Sequence, residues 1–352
     1  MSVFDHPEFD KHEHVAFYHD EEAGLKAIIA VHNTNLGPAL GGCRMWPYIN
    51  SAEALNDVLR LSKGMTYKAA MANLKLGGGK SVIIGDPRKM KTPAMMRAMG
   101  KFVDSLGGKY FTAEDSGIAV SDLQEMATQS KFIAGTSAKY HYAGETPDGN
   151  PAPSTAYGVF VGLRSTVEYA FNSDLKGVKV AIQGMGHVGY RLAKHLHDAG
   201  AELFVTDIYP DGIERAVQEL GATAIAPEDI YGLDVDVIAP CAMGASINDE
   251  TLPDIKAKVI AGAANNQLAR EEMGELLRKR GILYAPDYVI NAGGVIDIYH
   301  QRMEHSSNEA MRNHIEEIGV TLKEIFERAE QEEKATNRVA NVIAQERFTI
   351  KA

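Results

Sequence analysis

Hydrophobic residues in the first third of the chain recur with the spacing of a strand in some stretches and of a helix in others. LKAIIAVHNT at 25–34 is an apolar, β-branched run that ends in polar residues, which predicts a strand. Asn50, with Glu53 three residues later, forms a capping pattern ahead of apolar positions on one helical face. A second helix is expected after Pro93, where methionines recur at helical spacing until the chain reaches Gly107.

From about residue 150 the pattern changes to short apolar runs separated by helical or turn segments. STAYGVFVGLRSTVEYAF, which begins at Ser154, predicts a helix. The apolar runs after it are VKVAIQG, AELFVTD, VDVIAP, AKVIAG and ILYAPDYVI. Such runs, alternating with helices, are typical of a parallel sheet covered on both faces. The charged stretch from 308 to 346 predicts a helix that lies across the first half of the chain or between the halves.

GMGHVG at 184–189 matches the spacing G-x-G-x-x-G, and its surroundings strengthen the match. The strand VKVAIQ precedes it, the helix YRLAKHLHDAG follows it, and a second strand, ELFVTD, ends in Asp207. Gly184 permits a tight turn, Gly186 lets backbone approach a pyrophosphate, and Gly189 lets helix and strand pack closely. The candidate cofactor-binding residues of this loop are Gly184, Met185, Gly186, His187, Val188 and Gly189. A turn that binds nothing is the alternative, and the register of strand, helix and acid disfavours it.

Asp207 indicates which dinucleotide the loop would take. Its carboxylate would accept hydrogen bonds from the adenosine ribose, and its charge would repel a 2′-phosphate. No Lys or Arg follows before Arg215, so the sequence predicts NAD rather than NADP. An NAD domain beside a separate domain suggests a dehydrogenase whose other domain carries the substrate and the acid–base groups.

These patterns predict an α/β protein of two domains with a deep cleft between them. We expect an N-terminal α/β substrate domain at 1–145 and a Rossmann-type, doubly wound NAD domain at 146–330. The C-terminal helix at 331–352 is expected to pack back on the first domain. GETPDGNPAP at 144–153 is rich in Gly and Pro, which predicts a linker or hinge between the two.

The formal net charge of −11 over 352 residues restricts the possible partners. A nucleic acid or an anionic membrane surface would need a basic face, so we expect neither. The first residues are polar and acidic, unlike a secretory signal, and no apolar run approaches the ~20 residues of a membrane span. Cys43 and Cys241 are the only cysteines, which suits a reducing compartment, and we expect a cytoplasmic protein.

Histidine-containing stretches at 12–14, 141 and 195–197 invite a metal interpretation. None has the spacing H-E-x-x-H, and no cysteine joins them. We therefore predict no metal site.

NLKLGGGKSVIIGDP at 73–87 looks like the end of a phosphate-binding P-loop, but the match fails at two points. The pattern requires a glycine where this chain has Leu74, and the loop must continue directly into a helix. SVIIGDP instead predicts a strand and a turn. The three glycines beside Lys80 would let another group come close to the backbone.

Lys68 in GMTYKAA, Lys80, and Asp115 in TAEDSGI become candidates for chemistry if they converge on one cleft. A cation beside a second cation, partly desolvated, loses its proton more readily. One lysine would then act as a neutral base while the other binds a substrate carboxylate, and Asp115 would pass protons to and from a nitrogen. That set suits the oxidation of an α-amino acid. The alternative, two surface lysines and an aspartate that caps a turn, is equally consistent with the spacing.

Motifs along most of the chain closely resemble those of the amino-acid dehydrogenases of the Glu/Leu/Phe/Val family. They are LGPALGGCRMW, RLSKGMTYKAAMANLKLGGGKSVIIGDP, FTAEDSGI, QGMGHVG, VTD, APCAMGASIND, AGAANNQL and PDYVINAGGVID. They occur in order over roughly residues 25–300, and GGGK with the downstream ED is the most distinctive. The resemblance implies reversible, NAD-dependent oxidative deamination of a branched-chain L-amino acid such as leucine, valine or isoleucine. The products would be the 2-oxo acid, ammonia and NADH.

The resemblance also implies roles for single residues and an assembly. Lys68 resembles the lysine that binds the substrate carboxylate, Lys80 the catalytic lysine that activates water, and Asp115 the proton-transferring acid. Further candidate substrate-binding residues are Leu40, Gly41, Gly42, Met65, Ala113, Asn265 and Val295. Further candidate cofactor contacts are Cys241, Ala242, Asn265 and Asn291. The family typically forms homo-oligomers, and the resemblance implies an octamer.

Three stretches depart from the family pattern around the pocket. Cys43 stands where a threonine is expected, KAAMANL replaces KNAAAGL, and DIYHQRMEHSS follows NAGGVI. The same reaction on valine, phenylalanine or tryptophan is therefore the main alternative, and a non-catalytic NAD-binding sensor is a remote one. Apolar Leu40 and Val295 argue against glutamate, whose side-chain carboxylate would need a basic partner.

Overall fold

The computed structural model describes residues 2–136, 150–303 and 305–349, which form two β-sheets flanked by helices. The strands are β1 (His14–Asp20), β2 (Leu25–Asn33), β3 (Ala39–Trp46), β4 (Gly77–Ile84), β5 (Tyr110–Ala113), β6 (Lys179–Gln183), β7 (Glu202–Thr206), β8 (Thr223–Ala224), β9 (Val237–Pro240), β10 (Val259–Ile260) and β11 (Leu283–Tyr284). The helices are α1 (Ser51–Met71), α2 (Pro93–Asp104), α3 (Val120–Ala127), α4 (Ala152–Phe171), α5 (His187–Asp198), α6 (Pro210–Leu220), α7 (Met273–Lys279), α8 (Asp287–Ile290), α9 (Gly293–Gln301), α10 (Asn308–Glu332) and α11 (Thr336–Thr349). The predicted α/β fold class is confirmed. The predicted domain boundary at 145/146 and residues 144–149 of the expected hinge lie outside the described residues.

The first sheet has five strands in the order β1-β2-β4-β3-β5. β1 and β2 are antiparallel, β2 is antiparallel to β4, and β3 runs parallel to both β4 and β5. Alternate side chains of the strands point to opposite faces, so two separate cores form. One contains Ile28 and Val82 with Val58 of α1, and the other contains Ile29 with Met99 of α2. This layering places α1 over the face of β4 that carries Lys80.

The glycines of GGGKS lie inside β4 rather than in a loop. A Cβ on Gly78 would lie 2.0 Å from the backbone N of Thr66 on α1, and one on Gly79 would lie 2.6 Å from the Tyr110 ring. The bare strand therefore lets α1 approach on one face and an aromatic ring on the other. Since Lys80 lies within β4 and pairs with Ala30 of β2, the stretch is not a P-loop.

Local signals account for the starts of α1 and α2. The side chain of Asn50 accepts a hydrogen bond from Glu53 N at 2.9 Å, as the capping pattern predicted. Thr92 caps α2 through Met95 N at 3.1 Å, and Pro93 occupies the first turn, where its missing N–H is not needed. The methionine stripe of α2 is buried, which confirms its interpretation as core.

The second sheet is parallel throughout, in the order β11-β10-β9-β6-β7-β8, as the alternating runs predicted. The interpretation of ILYAPDYVI as one strand-like run is wrong, because only Leu283–Tyr284 is strand and Asp287–Ile290 is α8. Pro286 ends the strand since it has no N–H to give the sheet. Its neighbour Asp287 favours a helix start by accepting a hydrogen bond from Tyr288 N at 2.7 Å.

The charged stretch at 308–346 forms two helices rather than one. α10 ends at Glu332. Its C-cap, Glu333, has a left-handed φ of 51°, and α11 begins at Thr336. α11 turns back onto α1, where Gln345 donates to the Tyr67 hydroxyl at 2.8 Å. Within the described ranges, no helix has both the length and the apolar character required to cross a membrane.

Candidate active site

Lys80 and Asp115 meet across one strand. Lys80 is on β4, Asp115 follows β5, and β3 lies between those strands in the sheet. The Lys80 ammonium donates to Asp115 Oδ2 in a direct ion pair. Gly42 of β3 makes this contact possible, because a Cβ there would lie 2.7 Å from the Asp115 Cβ. Ser116 N donates to the other carboxylate oxygen at 2.6 Å and fixes the orientation of the acid.

Lys80 is 5% exposed, and this burial is the main cause that lowers its pKa to about 7. The positive charge of Arg44 is the next cause, and that of Lys68 contributes less. The negative charge of Asp57 acts in the opposite direction. Desolvation and a second lysine were expected from the sequence to act together, and Arg44 is a neighbouring cation that this expectation did not include.

Arg44 and Asp57 were not among the residues singled out from the sequence. Arg44 Nη2 lies 3.5 Å from Asp115 Oδ1, and its Nη1 donates to Asp57 Oδ2 at 2.9 Å. Asp57, on α1, also accepts from the Tyr48 hydroxyl at 2.7 Å and from Arg60 at 2.9 Å. The available signal was the position of Arg44 in GGCRMW, two strand residues after Gly42 and therefore on the same face.

Lys68 lies on α1, the helix that covers the Lys80 face of the sheet. Burial lowers the pKa of Lys68 to about 8, and the carboxylate of Asp287 on α8 opposes this shift. Asp287 is held by Gln267 N at 3.0 Å, so its charge is fixed close to the lysine. Lys68 therefore sits where α1 meets α8, and its charge is felt at Lys80.

The candidate pocket residues belong to one continuous apolar cluster. Leu40, Ala113 and Val295 are buried members, and Met65 packs against them as a half-buried neighbour. Leu40 and Ala113 come from the first sheet, whereas Val295 comes from α9 in the second half of the chain. Gly41 leaves no side chain here, because a Cβ would lie 1.7 Å from the Gly79 carbonyl oxygen.

The glycine-rich loop follows β6 at the point where the strand order reverses. β7 follows on one side of β6 and β9 on the other, which is where open parallel sheets bind ligands. Gly184 has a φ of +101°, and a Cβ on it would lie 2.7 Å from the Cβ of Ala242, which with Cys241 follows β9. A Cβ on Gly189 would lie 1.9 Å from the Gly184 carbonyl oxygen.

The start of α5 offers free backbone donors. Gly186 is the N-cap and contributes no side-chain hydrogen bond to the helix, and nothing lies within 4 Å of the position of its absent Cβ. The amides of His187 and Val188 begin the helix at this open position. An uncapped helix N-terminus beside an open glycine suits a phosphate group.

Asp207 stabilises the glycine-rich loop as well as facing its mouth. Its Oδ2 accepts from Met185 N at 2.5 Å, and its Oδ1 accepts from Tyr209 N at 3.0 Å. Each carboxylate oxygen has a further lone pair, so the acid keeps capacity for ribose hydroxyls. The loop contact was not foreseen from the sequence.

Asn265 and Asn291 form a hydrogen-bonded pair. Asn291 Nδ2 donates to Asn265 Oδ1 at 2.8 Å and to the Ala263 carbonyl at 3.1 Å. Asn291 is 6% exposed, and its Oδ1 has no hydrogen-bond partner among the described residues. A buried acceptor without a partner costs stability, so it marks a place where a ligand donor would fit.

The cysteines are free thiols, Cys43 buried and Cys241 half-buried. Burial raises the pKa of Cys43 to about 11 and that of Cys241 to about 12, so neither is a thiolate near neutral pH. In the ranges that the structure describes, no group of three His, Cys, Asp or Glu side chains is placed to hold a metal ion, and His141 lies outside them.

Comparisons with known proteins agree with this geometry. Residues 12–132 match the family model described as Glu/Leu/Phe/Val dehydrogenase, dimerisation domain. Residues 151–207 and 209–350 match the model described as Glutamate/Leucine/Phenylalanine/Valine dehydrogenase. The chain belongs to the Glu/Leu/Phe/Val dehydrogenase family.

Similar proteins span almost the whole chain. This chain is 49% identical to leucine dehydrogenase of Geobacillus stearothermophilus and 48% identical to leucine dehydrogenase of Bacillus cereus, each over 349 residues. Each match covers 99% of this chain and 94% of the relative. The crystal structure of L-tryptophan dehydrogenase from Nostoc punctiforme matches with a TM-score of 0.85 at 45% identity, over 97% of this chain and 96% of that one.

Proposed function

We propose that this protein catalyses the reversible, NAD-dependent oxidative deamination of a branched-chain L-amino acid. L-Leucine is the preferred substrate, with valine and isoleucine also accepted, and the products are the 2-oxo acid, ammonia and NADH. The observation that carries the proposal is the ion pair of buried Lys80 with Asp115, close enough to Lys68 for its charge to act on Lys80. The same chain also carries a glycine-rich nucleotide loop.

Lys68 binds the carboxylate of the amino acid. With a pKa of about 8, it is mostly protonated at neutral pH, and its burial strengthens an ion pair with a small anion. Gly41 and Gly42 form the floor of the substrate site, where the absence of their Cβ atoms lets the Gly79 carbonyl and Asp115 come close. The aliphatic side chain packs among Leu40, Ala113 and Val295, which exclude water and carry no charge.

Lys80 and Asp115 handle protons. A lysine with a pKa of about 7 is partly neutral at physiological pH, so it takes a proton from the water that attacks the imine carbon. Asp115, in contact with Lys80, passes protons to and from the substrate nitrogen, so that ammonia leaves. The hydride acceptor for the substrate Cα would be supplied by NAD when it is bound.

The residues present fit an NAD molecule. Gly184 and Gly189 make the compact turn, and the amides from Gly186 into α5 face an open position suited to the pyrophosphate. Asp207 receives the adenosine ribose. Cys241, Ala242 and the Asn265–Asn291 pair would hold the nicotinamide end. The Asn291 Oδ1, which has no partner among the described residues, would accept a hydrogen bond from an amide or an amine.

The choice of leucine as the preferred substrate is the part of the proposal that has the strongest alternatives. Relatives named for leucine and for tryptophan both match this chain at more than 40% identity. One methylene changes discrimination by only ~1–3 kcal/mol, so the pocket residues allow valine, phenylalanine or tryptophan as the alternative preferred substrate. A sensor that binds NAD without turnover is the remaining alternative.

A substrate panel tests the proposal directly. Purified protein is mixed with NAD and single L-amino acids at alkaline pH, and the absorbance of NADH is followed. We expect the highest kcat/KM with leucine, and no rate above background for the Lys80→Ala protein, which should still bind NADH. A higher kcat/KM with phenylalanine or tryptophan would overturn the substrate choice. Absence of turnover with every amino acid would favour the sensor.

We extend the proposal to the organisation of the protein. Residues 1–145 form the substrate domain and 146–330 the NAD domain, with the C-terminal segment from 331 packed back on the first. Exposed apolar side chains on the first sheet, including Phe17 and Trp46 at 56% and 51% exposure, suit contacts between copies in a cytoplasmic homo-oligomer, an octamer. Light scattering of the eluted protein tests the subunit number.

A further inference from the structure

Arg44 occupies an unusual position beside the Lys80–Asp115 ion pair. Its guanidinium bridges two carboxylates, Asp57 at 2.9 Å and Asp115 at 3.5 Å. Its Nε is buried without a hydrogen-bond partner among the residues that the structure describes. A buried N–H donor without a partner costs stability, so this placement requires another reason.

The bridge acts on the reactive pair from the side opposite Lys80. Asp115 Oδ2 contacts Lys80, whereas its Oδ1 faces Arg44 and Ser116 N. The carboxylate is therefore held at both oxygens, and rotation of its plane would break one contact. Asp57 in turn fixes Arg44 with a hydrogen bond shorter than the one Arg44 makes with Asp115.

We propose that Arg44 is a positioning residue for the dehydrogenase reaction, one that holds Asp115 against Lys80 and is itself held by Asp57. This inference rests on the proposed function, because it assigns a part in that reaction to two further residues. Arg44 contacts the carboxylates of Asp57 and Asp115, so both residues act through Asp115 and Lys80.

The charges around Lys80 give this arrangement a measurable consequence. β3 contributes Arg44 and the neutral thiol of Cys43, α1 contributes Asp57 and Lys68, and the loop after β5 contributes Asp115. β2 places the uncharged Ala30 opposite Lys80. Arg44 lowers the pKa of Lys80 and Asp57 raises it. Removing the charge of Arg44 and removing that of Asp57 should therefore have opposite effects on the acid limb, the low-pH side of the profile of kcat/KM against pH.

Arg44→Gln removes the cation. The pKa of Lys80 should rise, and the acid limb of kcat/KM should move to higher pH by roughly one unit. The maximal kcat should fall about tenfold to a hundredfold, because Asp115 keeps Lys80 and Ser116 N but loses the third of its contacts. Arg44→Lys keeps the charge, so it should restore the acid limb while recovering only part of kcat.

Asp57→Asn removes the anion but keeps an amide oxygen for Arg44. The pKa of Lys80 should fall, so the acid limb of kcat/KM should move to lower pH, opposite to the shift expected for Arg44→Gln. Arg60→Gln is the matched control, since Arg60 binds the other oxygen of Asp57 but its side chain is 41% exposed and makes no described contact with Asp115. That variant should leave the acid limb where the parent has it.

The pKa of Lys80 is also measured without turnover. Competitive labelling with a lysine-selective reagent over a pH series, read by mass spectrometry of the Lys80 peptide, reports the neutral fraction of this amine. Circular dichroism and NADH binding identify variants that are folded. Suppose the variants show the expected opposite shifts of the Lys80 pKa, yet the unsubstituted protein turns over no amino acid. That outcome would contradict the proposed function but not the placement of Arg44 beside Asp115 and Lys80.

Two results would overturn the inference. One is an unchanged Lys80 titration in folded Arg44→Gln protein. The other is a shift in the same direction for Arg44→Gln and Asp57→Asn, which would indicate a general disturbance of the site. Opposite shifts, with the acid limb restored by Arg44→Lys, would support it.

Discussion

At the scale of single residues, Gly42 decides whether the acid and the base can meet. A Cβ at this position would lie 2.6 Å from the Glu114 carbonyl oxygen and 2.7 Å from the Asp115 Cβ. We expect Gly42→Ala to displace Asp115 from Lys80 and to lower kcat by about a hundredfold. Binding of NADH, measured by fluorescence titration, should stay within about twofold, since the glycine-rich loop is untouched.

Gly64→Ala is the matched control for that substitution. Gly64 lies on α1, and nothing lies within 4 Å of the position of its Cβ. Alanine there should preserve kcat and raise the free energy of unfolding by about 0.5–1 kcal/mol, because glycine is a poor helix former. Full activity in the Gly42→Ala protein would show that Asp115 need not contact Lys80.

Asp207 provides a second test at this scale. Asp207→Asn removes the negative charge yet leaves a side-chain oxygen for Met185 N, so the loop should keep its shape. We expect the ratio of kcat/KM for NAD to that for NADP to fall about tenfold, because a 2′-phosphate is no longer repelled. Asp229→Asn, an exposed aspartate at the start of a short turn, should not change the ratio. An unchanged ratio for Asp207→Asn would count against its ribose contact.

Sequence patterns select some of these residues and miss others for a physical reason. Lys80 and Asp115 stand in distinctive motifs, so the family resemblance selects them as candidates where their spacing alone does not. Arg44 has only the weak signal of sharing a strand face with Gly42, because an arginine on a strand resembles a solvated charge until the fold brings Asp115 within 3.5 Å. The contact of Asp207 with Met185 N is likewise a matter of loop geometry, which spacing does not encode.

At the scale of elements, the C-terminal end of α1 is capped by the C-terminal helices. Arg347 of α11 donates to the carbonyls of Ala70 and Met71 at 3.3 Å each, and to Asn73 Oδ1 at 3.0 Å. The last carbonyls of a helix lack partners within it, and a cation there also complements the helix dipole. α11 therefore steadies the turn of α1 that carries Lys68.

Arg347→Met tests this cap while retaining most of the side-chain stem. We expect the free energy of unfolding to fall by roughly 1–2 kcal/mol and KM for the amino acid to rise, because Lys68 loses rigid support. Denaturant unfolding and steady-state kinetics measure the two effects. Arg338→Met on the same helix is the control, since its pair with Glu271 at 3.4 Å is exposed and should contribute under ~0.5 kcal/mol. Equal effects of the two substitutions would contradict the cap.

Elements differ in how far local sequence determines them. α1, α2 and the parallel strands carry caps or long apolar patterns, and the sequence predicted them. β8 has only Thr223–Ala224, and α8 only four residues, so neither carries enough pattern to be recognised. The break between α10 and α11 depends on one left-handed residue, Glu333, in a stretch whose charge pattern reads as continuous helix.

At the scale of the whole molecule, two pairs of histidines tie distant parts of the chain to α1. His12 Nε2 lies 3.0 Å from the Leu59 carbonyl, and the rings of His12 and His32 are 4.9 Å apart. His314 of α10 donates to the Ala72 carbonyl at 2.7 Å, and its Nδ1 lies 3.0 Å from Nε2 of His300. The N-terminal segment and the C-terminal helices are thus joined to one helix through imidazole rings.

Burial, and then the neighbouring histidine, lowers the pKa of His32 and of His300 to about 4 from the usual 6.5. The unfolded chain binds protons below pH 6.5, whereas the folded chain resists them until about pH 4. Folding stability should therefore be complete above pH 6.5 and fall as the pH drops through this window. The loss is roughly 3 kcal/mol for each of the two histidines by pH 4.

Denaturant unfolding at pH 7.5, 6 and 5 measures this slope, and His32→Asn should flatten it because an amide does not titrate. His197→Asn, at an exposed position on α5, should leave the slope of the parent unchanged. A parent whose free energy of unfolding is constant from pH 7.5 to 5 would show that these imidazoles become protonated in the folded chain without cost. α1 carries Lys68 and covers Lys80, so loss of folding stability in acid should also remove activity. After brief acid exposure, activity should recover together with stability when the pH is returned to neutral.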